Sequence, residues 1–332
     1  MRLATYNVEW FDKLFDDEGS LLDDDGWSGR QDVKRSEQIA ALADVFRAVD
    51  ADAWMIVEAP DDSRKRSSRV ALENFATAHG LRQNQAITGF TNHTQQEIAL
   101  LYDPEVVTAR HDPLESGIAP RFDGELQIDL DVDAQADRVV WSKPPLELEI
   151  EAADQIIRLI GVHAKSKAPH GAKTPAEVMR ISIANRKKQL AQCIWLRRRV
   201  EEHLKAADPL VVMGDFNDGP GLDEYEKLFG RSGVEIVMGE GREDCLYDPH
   251  AAQALQSRFA MPTTSRFWLQ HEGRYLQALL DYIMVSPDLR AKRPSWRIWH
   301  PFDDAECFRD ARLRDALLAA SDHFPVSMDI AL

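Results

Sequence analysis

The stretch LVVMGDFND, residues 210–218, is the part of the sequence from which the fold and the candidate site are inferred first. Its first four residues are apolar, Pro209 precedes them and Gly214 follows them, which is typical of a short buried strand that ends at a turn. Asp215 and Asn217 come directly after this strand, and in extended chain their side chains point the same way. A carboxylate and an amide are therefore presented together on rigid support, as a metal or phosphate site requires. Taken alone, the Asp-x-Asn pair favours a polar turn that closes the strand, so the interpretation depends on the other strand ends.

The chain has 332 residues, of which 44% are hydrophobic, so it is long enough for one large domain or two ordinary ones. No internal repeat, low-complexity block or long linker divides it. We therefore expect a single domain over residues 1–332, with loop excursions near residues 12–30 and 288–320. The acidic tract in the first excursion does not have the spacing of an EF-hand and is interpreted as a solvated loop or a lid.

Strands and helices alternate along the chain, which predicts an α/β fold. Apolar runs and apolar–polar alternation predict strands over residues 3–8, 53–57, 97–102, 126–133, 146–151, 156–162, 210–213, 279–285 and 324–330. Helical periodicity predicts helices over residues 33–49, 68–79, 175–204, 222–229 and 310–319.

The ends of the chain and its cysteines bear on its compartment. No apolar run is long enough to span a bilayer, so we expect no membrane insertion. The opening residues MRLATYNVEW lack the layout of a signal peptide, which predicts a cytoplasmic protein. The three cysteines are odd in number and far apart, so neither a disulfide framework nor a zinc site is predicted.

The net charge of −16 argues against a dedicated binder of duplex nucleic acid, which usually carries a basic surface. It does not exclude a phosphodiester substrate if basic residues are local and a divalent cation adds positive charge. The strongly basic region is local, because Lys165, Lys167 and Lys173 follow the predicted strand over residues 156–162. Most charges on the following helix form its solvated face.

Polar groups suited to metal and phosphate chemistry recur at other strand ends. Each is weak alone; Glu58, for example, is also consistent with a solvated strand end. Their recurrence on a rigid sheet points to one functional site. The groups are Asn7, Glu58, His163, Asp215 with Asn217, Asp281, and Asp322 with His323.

In this order, the segments TYNVEWF, VE, GVHAKSK, MGDFND, LDYIMVS and SDHFPV resemble the endonuclease/exonuclease/phosphatase superfamily, which includes pancreatic deoxyribonuclease, abasic-site endonucleases, inositol polyphosphate 5-phosphatases and bacterial sphingomyelinases. The resemblance implies a DNase I-like fold, a four-layer sandwich of two stacked mixed β-sheets flanked by helices. GDFN followed by SDH is a strong signal for the superfamily and a weak one for the substrate.

The resemblance also implies roles for the matching residues. Glu58 would be the main ligand of Mg²⁺ or Mn²⁺, with Asn7 and Asp322 completing or supporting the metal shell. Asp215 would orient or deprotonate the attacking water, or protonate the leaving oxygen, and Asn217 would hold a phosphate oxygen.

Two histidines complete the implied catalytic set. His323, oriented by Asp281, would stabilise the phosphorane-like charge or act as general base, and His163 would be a second donor to the phosphate. Two positions depart from the usual family pattern. Val57 replaces the Gln that usually precedes the metal-binding Glu, and Lys143 stands where relatives often have Arg, so a bidentate phosphate contact becomes a point charge.

The substrate class is inferred from residues near this set. Lys165 and Lys167 belong to an element similar to one in bacterial nuclease-like members and could bind flanking phosphates. Arg266 and Trp268 lie in a loop that touches nucleic acid in nuclease relatives; base stacking and core packing are both open for Phe267 and Trp268. We expect a metal-dependent nuclease on DNA or RNA, without an obligate protein partner.

Two alternatives remain open. Hydrolysis of a small phosphorylated metabolite or lipid head group is favoured by the net charge. A non-catalytic binding module is disfavoured, because such modules commonly lose acidic ligands or histidines, and here every matched position is filled.

Overall fold

A computed structural model of the chain describes residues 1–92, 94, 96–129, 137–169, 171–220, 230–239, 244–256, 260–269 and 273–332. The strands of these residues are β1 (Arg2–Asn7), β2 (Ala53–Ala59), β3 (Gln85–Thr88), β4 (Glu97–Tyr102), β5 (Thr108–His111), β6 (Leu126–Ile128), β7 (Asp137–Val139), β8 (Leu146–Ala152), β9 (Gln155–His163), β10 (Leu210–Asp215), β11 (Ser265–Leu269), β12 (Arg274–Ala278), β13 (Asp281–Val285), β14 (Ser295–Ile298) and β15 (Val326–Asp329). The helices are α1 (Arg35–Val49), α2 (Ser68–Ala78), α3 (Pro175–Ala206), α4 (Gly233–Met238), α5 (Pro249–Ala254), α6 (Pro287–Ala291), α7 (Ala305–Arg309) and α8 (Ala311–Ala320), with a 3₁₀ turn at Phe11–Leu14.

Two mixed sheets form the centre of the molecule. The first has the strand order β14-β15-β1-β2-β4-β3, and the second has the order β13-β10-β9-β8-β5. One pair in each sheet, β1 with β2 and β10 with β9, is parallel, and the other neighbours are antiparallel. Two ribbons, β11-β12 and β6-β7, stand apart from these sheets.

The alternation of side chains along each strand produces four layers. In β2, Met55 packs into the core between the two sheets, whereas Trp54 packs into the core under α1 and α2. In β10, Val211 faces the core between the sheets, and Val212 faces the core under α3. The predicted α/β fold, a sandwich of two stacked mixed sheets flanked by helices, is confirmed.

The long helix α3 has clear signals at both ends. Thr174 caps its first turn by accepting from the backbone N–H of Glu177, whose side chain in turn accepts from the N–H of Thr174. Pro175 follows at the first helical position, where it displaces no hydrogen bond. The helix buries Trp195 against the second sheet and so fixes the segment that precedes it, which contains Lys165 and Lys167.

Several expectations change in detail. Part of the first predicted excursion is core, because Phe11 and Leu14 in the 3₁₀ turn are fully buried. The second predicted excursion adds β14 to the edge of the first sheet and packs α8 on the core with α1. The short strands β3, β5, β7, β11, β12 and β14 were not predicted, since three to five residues carry too little alternation. The predicted helix over residues 222–229 and the end of the predicted strand over residues 126–133 lie outside the described residues.

Candidate active site

Strand register brings the predicted polar groups to one edge of the sandwich. His163 of β9 pairs with Asp215 of β10, and Asp215 pairs with Asp281 of β13, so these three side chains form a row across the second sheet. In the first sheet, Asn7 ends β1 beside Val57, one residue before Glu58. Because both parallel pairs end at this edge, residues from distant parts of the chain become neighbours.

Glu58 lies at an irregularity of the first sheet. The register between β2 and β4 shifts between Val57 and Ala59, and Glu58 has a φ of 61°, in the left-handed region. Such a conformation costs a non-glycine residue about 1–3 kcal/mol and often marks a functional position. Its carboxylate accepts from Gln96 Nε2 at 2.5 Å and from the backbone N–H of Trp10. Burial raises the pKa of Glu58, against the opposing effect of Lys143.

Asp215 is a buried carboxylate held by amide groups. It accepts from Asn7 Nδ2 at 3.0 Å, from Asn217 Nδ2 at 2.9 Å and from the backbone N–H of Asn217 at 2.7 Å. Burial raises its pKa to about 7. Gly214 allows this placement, because a Cβ there would lie 2.1 Å from the carbonyl oxygen of Val162 and the residue has a φ of 135°.

His323 forms a charged pair that joins the two sheets. Its Nδ1 lies 2.7 Å from Asp281 Oδ2, which also accepts from Thr264 Oγ1 at 2.8 Å. Burial lowers the pKa of His323, but Asp281, Asp215 and Asp322 outweigh it, so the pKa lies well above 6.5. The imidazole is therefore positively charged at neutral pH, with its Nδ1–H donated to Asp281.

The pKa of His163 is shifted in the opposite direction from that of His323. Burial, followed by the ammonium of Lys143, lowers its pKa well below 6.5. Lys143 Nζ lies 3.1 Å from His163 Nδ1 and 3.4 Å from Nε2; an ammonium can only donate, and the shorter distance favours Nδ1 as the acceptor, which leaves the proton on Nε2. His163 Nε2 lies 3.7 Å from Asp215 Oδ2 and 4.0 Å from Glu58 Oε1.

These groups line one cleft of about 940 Å³. We call the side contributed by the first sheet the oxygen-rich wall; it consists of Asn7, Glu9, Glu58 and Asp322. We call the side contributed by residues around β8 and β9 the basic wall; it consists of Lys143, His163, Lys165 and Lys167. Asn217 and His323 also line the cleft. Asp281 does not line it and acts on it through His323.

Two predicted substrate residues lie on the other side of their ribbon. Phe267 and Leu269 of β11 line the cleft, whereas Arg266 and Trp268 alternate with them and pack against Tyr275. This segment was predicted as a loop, so the sequence did not indicate which of its side chains turn to the cleft. Phe267, whose ring lies 5.4 Å from that of His323, therefore replaces Arg266 and Trp268 as the cleft residue of this segment.

Sequence reasoning gave no role to several polar residues of the cleft or its rim, among them Gln96, Asp218 and Glu9. Gln96 hydrogen-bonds to both Glu58 and Lys143. Both partners are far from it along the chain, so no local sequence pattern indicated these contacts. Asp218 binds Lys167 Nζ at 2.5 Å and Arg186 Nη1 at 2.7 Å, although it belongs to the stretch quoted first. Glu9 pairs with Arg30, and burial, followed by Asp322, raises its pKa to about 7. Its spacing from Asn7 was the available signal.

The oxygen-rich wall fits a hard divalent cation. Asn7 Oδ1 is buried without a hydrogen-bond partner, and the half-buried Glu58 carboxylate receives only neutral hydrogen-bond donors among the described residues. In the described part of the chain, no three His, Cys, Asp or Glu side chains form a metal-binding group by themselves.

The sequence matches the model of the Endonuclease/Exonuclease/phosphatase family over residues 4–323, and the chain belongs to this family. It is a phosphoesterase, a hydrolase of phosphodiester bonds, in a family whose members generally use divalent metals. No curated protein matches the sequence. Within the described residues, no helix combines the length and apolar content needed to cross a bilayer.

Solved structures with similar folds include two TDP2 proteins. A truncated Caenorhabditis elegans TDP2 is 14% identical, with a TM-score of 0.52, and the match covers 99% of this chain and 97% of that chain. A D. rerio TDP2 complexed with single strand DNA product is 11% identical, with a TM-score of 0.51, and the match covers 100% of this chain and 99% of that one. At these identities the likeness concerns the fold.

Proposed function

We propose that this protein is a nuclease that hydrolyses phosphodiester bonds of DNA or RNA with Mg²⁺ or Mn²⁺, and that residues 1–332 act as one domain. The observation that carries the proposal is the cleft itself, where an uncompensated carboxylate, a charged histidine and a basic wall face one another. The fold shared with a TDP2 bound to a single-strand DNA product supports a nucleic-acid substrate.

Glu58, Asn7 Oδ1 and Asp322 would hold the divalent cation. Their oxygens suit a hard ion, and the burial of Glu58 favours a positive partner. The ion, when bound, supplies Lewis-acid stabilisation of the negative charge on the reacting phosphate.

Asp215 is the residue best placed to accept the proton of the attacking water. Three donors occupy its two oxygens, and a carboxylate has about four acceptor positions, so one remains. In our proposal this position orients the attacking water and accepts its proton as the bond between the water oxygen and phosphorus forms. The bond between phosphorus and the leaving oxygen breaks, and the leaving oxygen takes up a proton from solvent. Asn217 fixes Asp215 and presents its amide at the same edge.

His323, His163 and Lys143 bind the phosphate oxygens. His323 brings a positive charge, and its Nε2–H is left for the phosphate because Nδ1 is bound to Asp281. His163 brings a neutral Nε2–H, and Lys143 brings a point charge. Such prearranged donors stabilise the charge that spreads over the phosphate in the transition state. Lys165 and Lys167 extend this positive side toward the flanking phosphates.

A second candidate is hydrolysis of a small phosphorylated metabolite or lipid head group, which the net charge of −16 favours. Salt separates the two candidates. Hydrolysis of a nucleic acid should weaken steeply as salt concentration rises, whereas turnover of a small molecule should change far less.

The experiment that tests the proposal is a panel of single-stranded DNA, duplex DNA, RNA, nucleotides, inositol phosphates and phospholipids. Each is incubated with Mg²⁺, Mn²⁺ or chelator. We expect nucleic acids to give the highest kcat/KM and chelator to abolish the activity. Higher kcat/KM on an inositol phosphate or a lipid would replace the nuclease assignment with the second candidate.

A further inference from the structure

Trp10 lines the cleft on the side of the oxygen-rich wall, and 39% of its surface is exposed. A large apolar side chain that stays exposed beside half-buried carboxylates contributes little to the core. It offers instead a flat ring next to the place where the phosphate is expected, and no step of the proposed reaction uses it.

The backbone of Trp10 is fixed in an uncommon conformation. Its φ of 55° and ψ of 40° lie in the left-handed region, which is rare for an aromatic residue. Its N–H hydrogen-bonds to the Glu58 carboxylate, and its carbonyl oxygen accepts from the N–H of Lys13 at 3.0 Å. The next residue, Phe11, is fully buried and anchors the segment. The same residue thus contacts the proposed metal ligand and presents its ring to the cleft.

The side chain of Trp10 is also held in place. A Cβ at Gly29 would lie 2.2 Å from Trp10 Cβ, so the backbone of Gly29 packs directly on the stem of the ring. The neighbouring Arg30 is tied to Glu9 by an ion pair. A ring that is already ordered loses little conformational entropy when a ligand stacks on it.

We propose that Trp10 is a substrate-binding residue on which the base next to the scissile phosphate stacks, so that the enzyme selects strands with a base at that position. This inference rests on the proposed nuclease function. An indole ring at the rim of a cleft suits a nucleobase, because every base has a flat π-face. Stacking adds affinity without a further positive charge, which matters where the net charge is −16.

The test compares wild type with Trp10→Ala and Trp10→Phe on two single strands. One strand is complete, and the other lacks the base next to the cleaved bond. Trp27→Ala is the matched control, since Trp27 lies between the 3₁₀ turn and α1, is 64% exposed, stacks with Lys34 and does not line the cleft.

We expect Trp10→Ala to lower kcat/KM on the complete strand roughly tenfold, within the range for one base–aromatic stack, and to leave the abasic strand nearly unchanged. Trp10→Phe should retain most of the activity, and Trp27→Ala all of it. Fluorescence anisotropy with labelled strands in chelator should show the same pattern in Kd, without turnover.

Equal losses on the two strands would overturn the inference, because Trp10 would then act only through Glu58 or the fold. Unchanged values on both strands would overturn it as well. A wild-type protein inactive on every nucleic acid would overturn the proposed function and this inference together, and that result is distinguishable because it appears before any substitution.

Discussion

The two walls of the cleft hold their charges differently. In the oxygen-rich wall, no lysine or arginine of the described residues lies within ion-pair distance of Glu58, whose hydrogen bonds come from Gln96 and the Trp10 N–H. In the basic wall, Lys167 is bound by the buried carboxylate of Asp218, and Lys143 binds Gln96 and His163.

Gln96 explains why the two walls do not neutralise each other. Its amide nitrogen donates to Glu58, and its amide oxygen accepts from Lys143, so a neutral group separates a carboxylate from an ammonium. Charges kept apart in this way remain available to a ligand that carries both signs. In the proposed function, that ligand is a phosphate with a divalent cation.

The largest expected effect comes from the carboxylate of Glu58. Glu58→Gln should lower kcat with Mg²⁺ about a thousandfold, because several kcal/mol of charge stabilisation depend on the ion it would hold. Glu105→Gln, which makes the same change at an exposed position, is the control. Steady-state hydrolysis measures the effect, and thermal unfolding checks the fold. Activity of Glu58→Gln within tenfold of the control would refute the role.

The second largest expected effect comes from His323, the hydrogen-bond donor that lines the cleft between the two walls. His323→Ala should lower kcat by roughly a hundredfold to a thousandfold, as the loss of one prearranged donor does in other enzymes. His79→Ala serves as a control, since His79 lies at the end of α2, away from the cleft. An increase in KM alone, with kcat unchanged, would contradict a transition-state role for His323.

Asp281→Asn tests whether Asp281 maintains the charge of His323. The amide cannot stabilise the charged imidazole, so the pKa of His323 should fall toward its ordinary value and kcat should drop about a hundredfold. NMR titration of the His323 ring measures the pKa directly, and a merely structural Asp281 would not move it. An unchanged titration with reduced activity would show that Asp281 acts in another way.

The sequence predicted the site residues that stand out against their immediate neighbours in the chain. It did not predict residues whose role depends on partners far away in the sequence. Asp215, His163 and Asp281 were found because each interrupts or ends an apolar run, and burial makes such a polar residue conspicuous. Gln96 was missed because its meaning lies in two partners that only the fold brings together. Arg266 and Trp268 were chosen and Phe267 was not because this segment was interpreted as a loop, whereas in the strand that it forms alternate side chains lie on opposite faces.

The smallest expected effect lies at the edge of the basic wall. Lys165→Met should reduce the slope of log kcat/KM against log salt concentration by about one on a nucleic acid, since one phosphate contact is lost. Lys205→Met, at the exposed end of α3, should leave the slope unchanged. Equal slopes for both variants would remove Lys165 from the substrate path.

The central claim is that the oxygen-rich wall provides a site for one divalent cation beside the basic wall. Calorimetric titration of Mn²⁺ into the substrate-free protein tests this claim most directly, with wild type, Glu58→Gln and Glu105→Gln compared at one pH. The account predicts a single site in wild type and Glu105→Gln that is lost or greatly weakened in Glu58→Gln. Equal Mn²⁺ binding by all three proteins, or binding by none, would contradict it.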